Sequence, residues 1–296
     1  TDQKPAIVAA VEQKSSSVAP PPPFDLTTLQ TESYRYFGIS PKETLAIAQE
    51  LYTAGLISYP RTSSQKLPAA LGHRALLEKL SKNKEYASIA QSILKNVPDP
   101  IEGKKTDPAH PSIFATGEQK KLVGKQQKIY DLIARRFLSC FSPALERTII
   151  TVKIDVNGEN FITKGMTIQK QGWHEIYHFA KLEEQELPAL QKGDKILDLK
   201  ITLQEDQTKP PKRYTEASLI KELEKRNLAT KSTRAQIIDT LYQRNYIREK
   251  AIEATTLGIA TVNTFKKYCP DILDEQLTRH FEEEMELIRE EKKSKE

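Results

Sequence analysis

Several things are scarce in this chain, and each shortage narrows what it is. Its 296 residues hold only two cysteines, Cys140 and Cys269. They lie far apart, with no partner Cys or His at ligand spacing, which excludes a disulfide framework and a Cys/His metal site and fits a reducing, cytoplasmic setting. No apolar run approaches the ~18 to 20 residues needed to cross a bilayer, so no membrane partner is expected. No signal peptide is visible, and the first residue is Thr rather than Met, which reads as a piece of something longer. Hydrophobic material is not scarce. At 38% of residues, evenly spread, it excludes wholesale disorder and allows two or three domains of ~100 to 200 residues.

The formal net charge of +5 is modest but local. Residues 208–250 hold eleven Lys and Arg against five Asp and Glu, so this segment accounts for more than the whole surplus. A basic stretch is an electrostatic footprint for phosphate; a solvated helix face would look the same.

The patterning sets out the elements. Residues 6–11 read as a strand that runs through serines into the stiff Pro20-Pro21-Pro22-Pro23 connector. Residues 24–37 read as a helix stopped by Gly38. Ser40-Pro41-Lys42-Glu43 opens a second helix, with Leu45, Ile47, Ala48 and Leu51 inward, that ends at Gly55. Further helices are predicted over residues 69–82, 87–96 and 118–139. The period then changes to two: Ile150, Val152, Ile154 and Val156 alternate with polar positions, Asn157-Gly158 is a hairpin signal, and residues 161–163 return. Leu197, Leu199, Ile201 and Leu203 alternate again, so residues 145–207 are expected to form a mostly antiparallel sheet. In the basic stretch, helices over 216–226 and from a Ser232 or Thr233 cap to about Arg244, with Ile237, Ile238 and Leu241 inward, precede two short strands around a charged two-residue turn. This is the order of a winged helix-turn-helix.

A faint internal repeat accompanies that order. At an offset of 190, Ile47, Leu51, Tyr52 and Ile57 match Ile237, Leu241, Tyr242 and Ile247. If the two segments are copies of one unit, Tyr59 falls where a wing begins.

Three groups of residues have chemistry to offer. Tyr59 precedes Pro60, which confines it to extended conformations, and Arg61 follows with a guanidinium fork suited to phosphate oxygens. A phenol is a weak nucleophile near neutrality and needs such a cation beside it, although a packed tyrosine next to a surface arginine has the same sequence. His110 lies in a loop held by Pro108 and Pro111, where it would contact phosphate, relay a proton or simply meet solvent. Thr230, Lys231, Ser232, Thr233 and Arg234 crowd a helix start, where free N–H groups favour an anion and ordinary capping explains the hydroxyls equally well.

The segment Gly55-Leu56-Ile57-Ser58-Tyr59-Pro60-Arg61-Thr62 resembles the active-site segment of type IA DNA topoisomerases, in a form closer to the archaeal members. Three further blocks agree in order: Pro21-Pro22-Pro23-Phe24 with Thr27-Thr28-Leu29-Gln30; Ala109-His110-Pro111-Ser112-Ile113; and Arg213 to Glu224 followed by Ser232-Thr233. The resemblance covers nearly the whole chain. It implies that Tyr59 attacks a single-stranded DNA phosphodiester to give a 5′-phosphotyrosine, that Arg61 stabilises the transferring phosphate, that His110 contacts the scissile region, and that Thr230 to Arg234 grip the strand. It also implies Mg²⁺, held by an acidic toprim domain ahead of the segment seen here, to which nothing in residues 1–23 is similar. No metal ligand is assigned in this chain. Two positions depart from the family: Ala229 stands where a glycine is expected, and Ser63 where many members have Asp.

The expectation is therefore an α+β protein in which helical, winged-helix-like domains are joined by a mostly antiparallel β hinge domain. Residues 1–23 and 145–209 would form the hinge, 24–144 the tyrosine domain and 210–296 part of a DNA-binding domain. The expected partners are single-stranded or underwound DNA and the missing toprim domain, and the chain is expected to be monomeric. The alternatives are a non-catalytic winged-helix nucleic-acid-binding module and the topoisomerase half of a reverse gyrase.

Overall fold

The computed structural model describes residues 6–197, 199–289 and 292–294. Within them the α+β class holds: nine α-helices accompany a four-stranded antiparallel sheet and a two-stranded one. The larger sheet has the order β3-β2-β1-β4, formed by β1 (Ala6–Val18), β2 (Leu145–Val156), β3 (Glu159–Lys170) and β4 (Lys195–Ile196). The Asn157-Gly158 turn closes the β2–β3 hairpin, with Asn157 at φ 57° and Gly158 at φ 91°, as a tight turn of this type requires. β1 outruns its apolar start because β2 gives Ser15, Ser16 and Ser17 backbone partners out to Val18.

The expected strand over Leu197 to Leu203 does not form. β4 stops at Ile196, and Leu197, Leu199, Ile201 and Leu203 are all exposed, Leu203 at 90%. β4 pairs with β1 at Ala6↔Ile196 and Ile7↔Lys195, and no strand among the described residues pairs with Leu197 or with residues 199–203. Asp198, within the same stretch, lies outside the described residues.

Helices α1 (Leu26–Phe37), α2 (Pro41–Thr53), α3 (His73–Leu80), α4 (Ala87–Leu94) and α5 (Gly124–Ser139) build the main core. Helix α5 is buried almost all round from Ile129 to Ser139, and this part acts as the central post. Two helix predictions ran long. The 69–82 stretch breaks at Gly72, which sits in the left-handed region at φ 68°, and α5 starts at Gly124 rather than near 118. Arg136 ties α5 to α1 and to the segment after β3: its guanidinium lies 4.3 Å from the Phe24 ring centre and 4.2 Å from that of Tyr177, and it pairs with Glu32, which also accepts from the Tyr177 hydroxyl. A buried guanidinium is tolerable only with such pairing.

The faint repeat in sequence has a hydrogen-bonded counterpart. Helices α6 (Glu216–Lys225) and α7 (Arg234–Gln243) precede β5 (Ile247–Arg248) and β6 (Glu253–Ala254). Asp25 and Thr215, 190 positions apart, each close a capping box at the first helix of a pair. The second helices end alike. Gly55 N–H donates to Tyr52 O at 2.8 Å and Leu56 N–H to Leu51 O at 2.9 Å, while Asn245 N–H donates to Tyr242 O and Tyr246 N–H to Leu241 O at 2.9 Å each. Gly55 (φ 76°) and Asn245 (φ 53°) make the same left-handed step. Past the turn, Thr116 Oγ1 donates to Gly55 O at 2.7 Å and Thr255 Oγ1 to Asn245 O at 2.6 Å. The bridges Ile57↔Ala115 and Ile247↔Ala254 close the two units, over 58 positions in the first and 7 in the second. The first unit therefore holds 51 residues more between its closing strands, and Tyr59, Arg61 and His110 all lie in that insertion.

The second unit has a thin core of Ile220, Ala235 and Ile238. Ile237, expected inward, is 41% exposed because Ala235 and Ile238 take the inner positions of α7. Four residues, not two, separate β5 from β6. The unit leans on the first, α6 against α1 and α7 against α2, with Lys42–Asp239 at 2.7 Å and Lys105–Glu224 at 3.0 Å across the seam. Helices α8 (Thr256–Tyr268) and α9 (Glu275–Arg289) follow.

The two thiols differ in a way that reports on this packing. Cys140 is buried, and burial, aided by Glu102 and opposed by Arg136, pushes its thiol up to about 12. Cys269 is exposed. A thiol-specific disulfide reagent at pH 8 is expected to titrate one cysteine in the folded chain and two after unfolding; two fast thiols in the folded chain would contradict the core described here.

Candidate active site

The insertion begins as an extended segment pinned to its neighbour. Ser58 N–H donates to Phe114 O at 3.0 Å, Ser58 Oγ donates to Ser112 O at 2.9 Å, and the same oxygen accepts from Phe114 N–H at 3.0 Å. Tyr59 follows, half-buried, with Pro60 buried behind it. Its ring is the middle of an aromatic row: Tyr52 meets it edge-on at 5.3 Å between centroids, and the His110 imidazole lies 4.5 Å away on the other side. The phenol is therefore held by its ring faces and edges.

Arg61 is half-buried and has no hydrogen bond or ion pair among the described residues, which leaves its donors open to an incoming oxyanion. Thr62 is buried; its carbonyl accepts from Leu26 N–H at 3.0 Å, its hydroxyl reaches His110 O at 3.4 Å, and the hydroxyl accepts from Ser64 N–H at 3.0 Å. The sequence-predicted trio of Tyr59, Arg61 and His110 thus shares one loop system.

A residue the sequence reading passed over organises that system. Asp107 is 3% exposed at its side chain. One carboxylate oxygen accepts from Ala109 N–H at 3.1 Å and His110 N–H at 3.3 Å. The other accepts from Ser63 N–H at 3.2 Å, from the Ser63 hydroxyl at 3.1 Å and from the Lys231 ammonium. Burial alone would raise the carboxyl, but the Lys231 ammonium and the Ser63 and Ala109 N–H groups overcome it and hold the acid well below the usual carboxylate range. The signal available in sequence was the turn-forming pair Asp107-Pro108 three residues before His110. Asp25 plays a parallel part, accepting from Gln65 at 3.2 Å and from Lys105 at 2.9 Å while it caps α1.

The predicted phosphate grip divides. Lys231 faces the tyrosine loop through Asp107. Thr233 occupies the cap position of α7 without capping it, because its Oγ1 instead accepts from Thr230 N–H at 3.1 Å and lies 2.9 Å from the Thr230 hydroxyl, which is 3.1 Å from that of Ser232. Arg234 is buried, its Nε donating to Leu228 O at 3.1 Å, so it holds the turn together rather than facing outward. Ala229 adopts φ 56°, the left-handed region a glycine would enter freely.

Among the described residues no group of three or more His, Cys, Asp or Glu side chains is arranged to hold a metal ion, and Asp107, the acid beside the tyrosine loop, already has its oxygens occupied by donors. No helix among the described residues is long and apolar enough to cross a membrane.

A half-buried tyrosine ring between Tyr52 and His110, followed two residues on by an arginine with no partner among the described residues, lies in a loop that a basic helix start meets through Asp107. The DNA topoisomerase family model matches residues 1–296. The chain is 51% identical over 290 residues to DNA topoisomerase 1 of Methanocaldococcus jannaschii, covering 97% of this chain and 38% of that protein. It is 32% identical to human DNA topoisomerase 3-alpha over 294 residues, with 98% and 29% covered. Full-length topoisomerase I from Thermotoga maritima superposes with a TM-score of 0.81 at 25% identity, over 98% of this chain and 50% of that one. The chain belongs to the type IA DNA topoisomerase family, and it spans about two fifths of the length of the archaeal relatives it matches.

The Ala229 turn yields a direct test. An alanine in the left-handed region pays ~1 to 2 kcal/mol, part of which glycine returns through its freer unfolded chain. Ala229→Gly is expected to stabilise the chain by about 0.5 to 1 kcal/mol in urea unfolding; a loss of stability would contradict the conformation described.

Proposed function

We propose that this chain is the tyrosine-bearing part of a type IA DNA topoisomerase and that Tyr59 is its nucleophile. The observation that carries this reading is the Tyr59 ring held between Tyr52 and His110, with Arg61, unpaired among the described residues, two residues on. The phenol oxygen attacks a backbone phosphorus of single-stranded DNA. An O–P bond forms to Tyr59, the bond from phosphorus to the 3′-oxygen of the preceding nucleotide breaks, and the phenolic proton ends on that 3′-oxygen. One phosphodiester replaces another, so the 3′-hydroxyl reverses the step after strand passage without ATP. In this reading Arg61 stabilises the charge that grows on the non-bridging oxygens, and His110, beside the Tyr59 ring, contacts the scissile region.

The architecture supports the rest. The two helix pairs with their closing strands read as winged-helix units, the first carrying the chemistry in an enlarged wing and the second presenting Thr230 to Thr233 to the strand. The four-stranded sheet reads as the hinge between them and the remainder of the enzyme. Mg²⁺ in this reading belongs to a separate acidic toprim domain, which acts on the genome together with this chain.

The isolated chain is expected to bind single-stranded DNA and to leave a supercoiled plasmid unrelaxed in the presence of Mg²⁺; relaxation by this polypeptide alone would overturn the assignment of the metal site elsewhere. In the longer protein, Tyr59→Phe should abolish relaxation and covalent DNA attachment while DNA binding stays within about twofold. Retained attachment in that variant would remove Tyr59 from the nucleophile's place.

A further inference from the structure

Asp107 takes no part in the chemistry above, yet it is the best-satisfied acid beside it. Its side chain is 3% exposed, whereas that of Lys231 is 32% exposed, so the ammonium sits at the surface end of the pair. The remaining partners of Asp107 are the N–H groups of Ser63, Ala109 and His110 and the Ser63 hydroxyl, none of which depends on Lys231. If Lys231 swings away, the carboxylate keeps four donors, enough to hold a buried anion. Lys231 finds an equivalent oxyanion wherever a DNA phosphate reaches the start of α7. The neighbouring bridge is built differently. Lys105 lies between two acids, Asp25 at 2.9 Å and Glu224 at 3.0 Å, and keeps the second unit docked when Lys231 departs.

We propose that Asp107 is a positioning residue that stands in for a DNA phosphate on Lys231: it holds the second unit's helix start against the tyrosine loop, and the entering single strand takes Lys231 from it. The inference rests on the reading that the helix start at Thr230 to Thr233 meets DNA. The exchange makes Asp107 an internal competitor of the substrate. It also means that the Ser63 and His110 backbones stay fixed as the strand arrives, because their hydrogen bonds to Asp107 persist.

The test is binding of a fluorescent oligothymidylate to the 296-residue chain over a series of salt concentrations. Asp107→Asn, close in shape, is expected to tighten binding about threefold to tenfold at low salt, the scale of a partly exposed ion pair removed from competition. Lys231→Gln should weaken binding and reduce the slope of log K against log salt by about 0.7, one phosphate contact on a single strand. The double variant should match Lys231→Gln, since Asp107 competes only through that lysine. A merely structural role for Asp107 would weaken binding in Asp107→Asn and leave the effects additive. If Asp107→Asn does not fold, the slope of Lys231→Gln decides: an unchanged slope means that Lys231 stays on Asp107 in the complex, which overturns the exchange. Binding by the wild type that Asp107→Asn fails to tighten also overturns it alone. No binding by any form overturns the DNA reading and the exchange together.

Discussion

The carboxylate of Asp107 receives backbone N–H groups from Ser63, Ala109 and His110 together with the Lys231 ammonium. One buried side chain therefore joins the two ends of a long insertion to each other and to a helix start more than a hundred positions away. The middle of the insertion packs through α3 and α4, whose Leu77, Leu80, Ala90 and Ile93 are buried. Its two irregular ends are joined because their polar backbone groups converge on one carboxylate. The His110 backbone is fixed close to the Tyr59 ring by these bonds, and the Lys231 pair adds one contact to a seam that α1, α2, α6 and α7 already make.

The same unit is used twice. In both copies a capping box starts the first helix, a left-handed residue ends the second, and a threonine hydroxyl reaches back to that turn. The copy with a short connection between its closing strands has space only for a turn. The copy with 51 more residues carries a tyrosine, an arginine and a histidine there, supported by α3, α4 and the Arg136 post. Rigid closing strands with an enlarged connection are the usual way a scaffold positions reactive side chains.

Much of this was legible in the sequence. The helix pairs, the Ser40 cap and the Asn157-Gly158 hairpin follow from local rules, and the Tyr-Pro-Arg segment and His110, read as candidates, lie in one loop system. The repeat was visible only as four identities because what it conserves is backbone hydrogen bonding, which many side chains satisfy. Asp107 escaped notice because a lone aspartate before proline looks like a surface turn, and only the tertiary meeting with Ser63 and Lys231 reveals its burial. Arg234 was placed outward for the opposite reason: charge suggested a DNA contact, while the fold required a donor for the Leu228 carbonyl. The alternation from Leu197 to Leu203 has the right pattern for a strand, and it misled because a strand needs a neighbour that pattern alone does not supply.

The account centres on which hydroxyl takes the phosphate. The chain has eleven tyrosines, and Tyr52 is both 40% exposed and in ring contact with Tyr59, so it is the natural competitor. The most direct measurement is peptide mapping by mass spectrometry of the covalent adduct formed on a single-stranded oligonucleotide by the protein that contains this chain together with the metal-binding domain. The account predicts a 5′-phosphonucleotide on the peptide bearing Tyr59 and on no other. The same modification on Tyr52, or a DNA end joined through its 3′-phosphate, would contradict it.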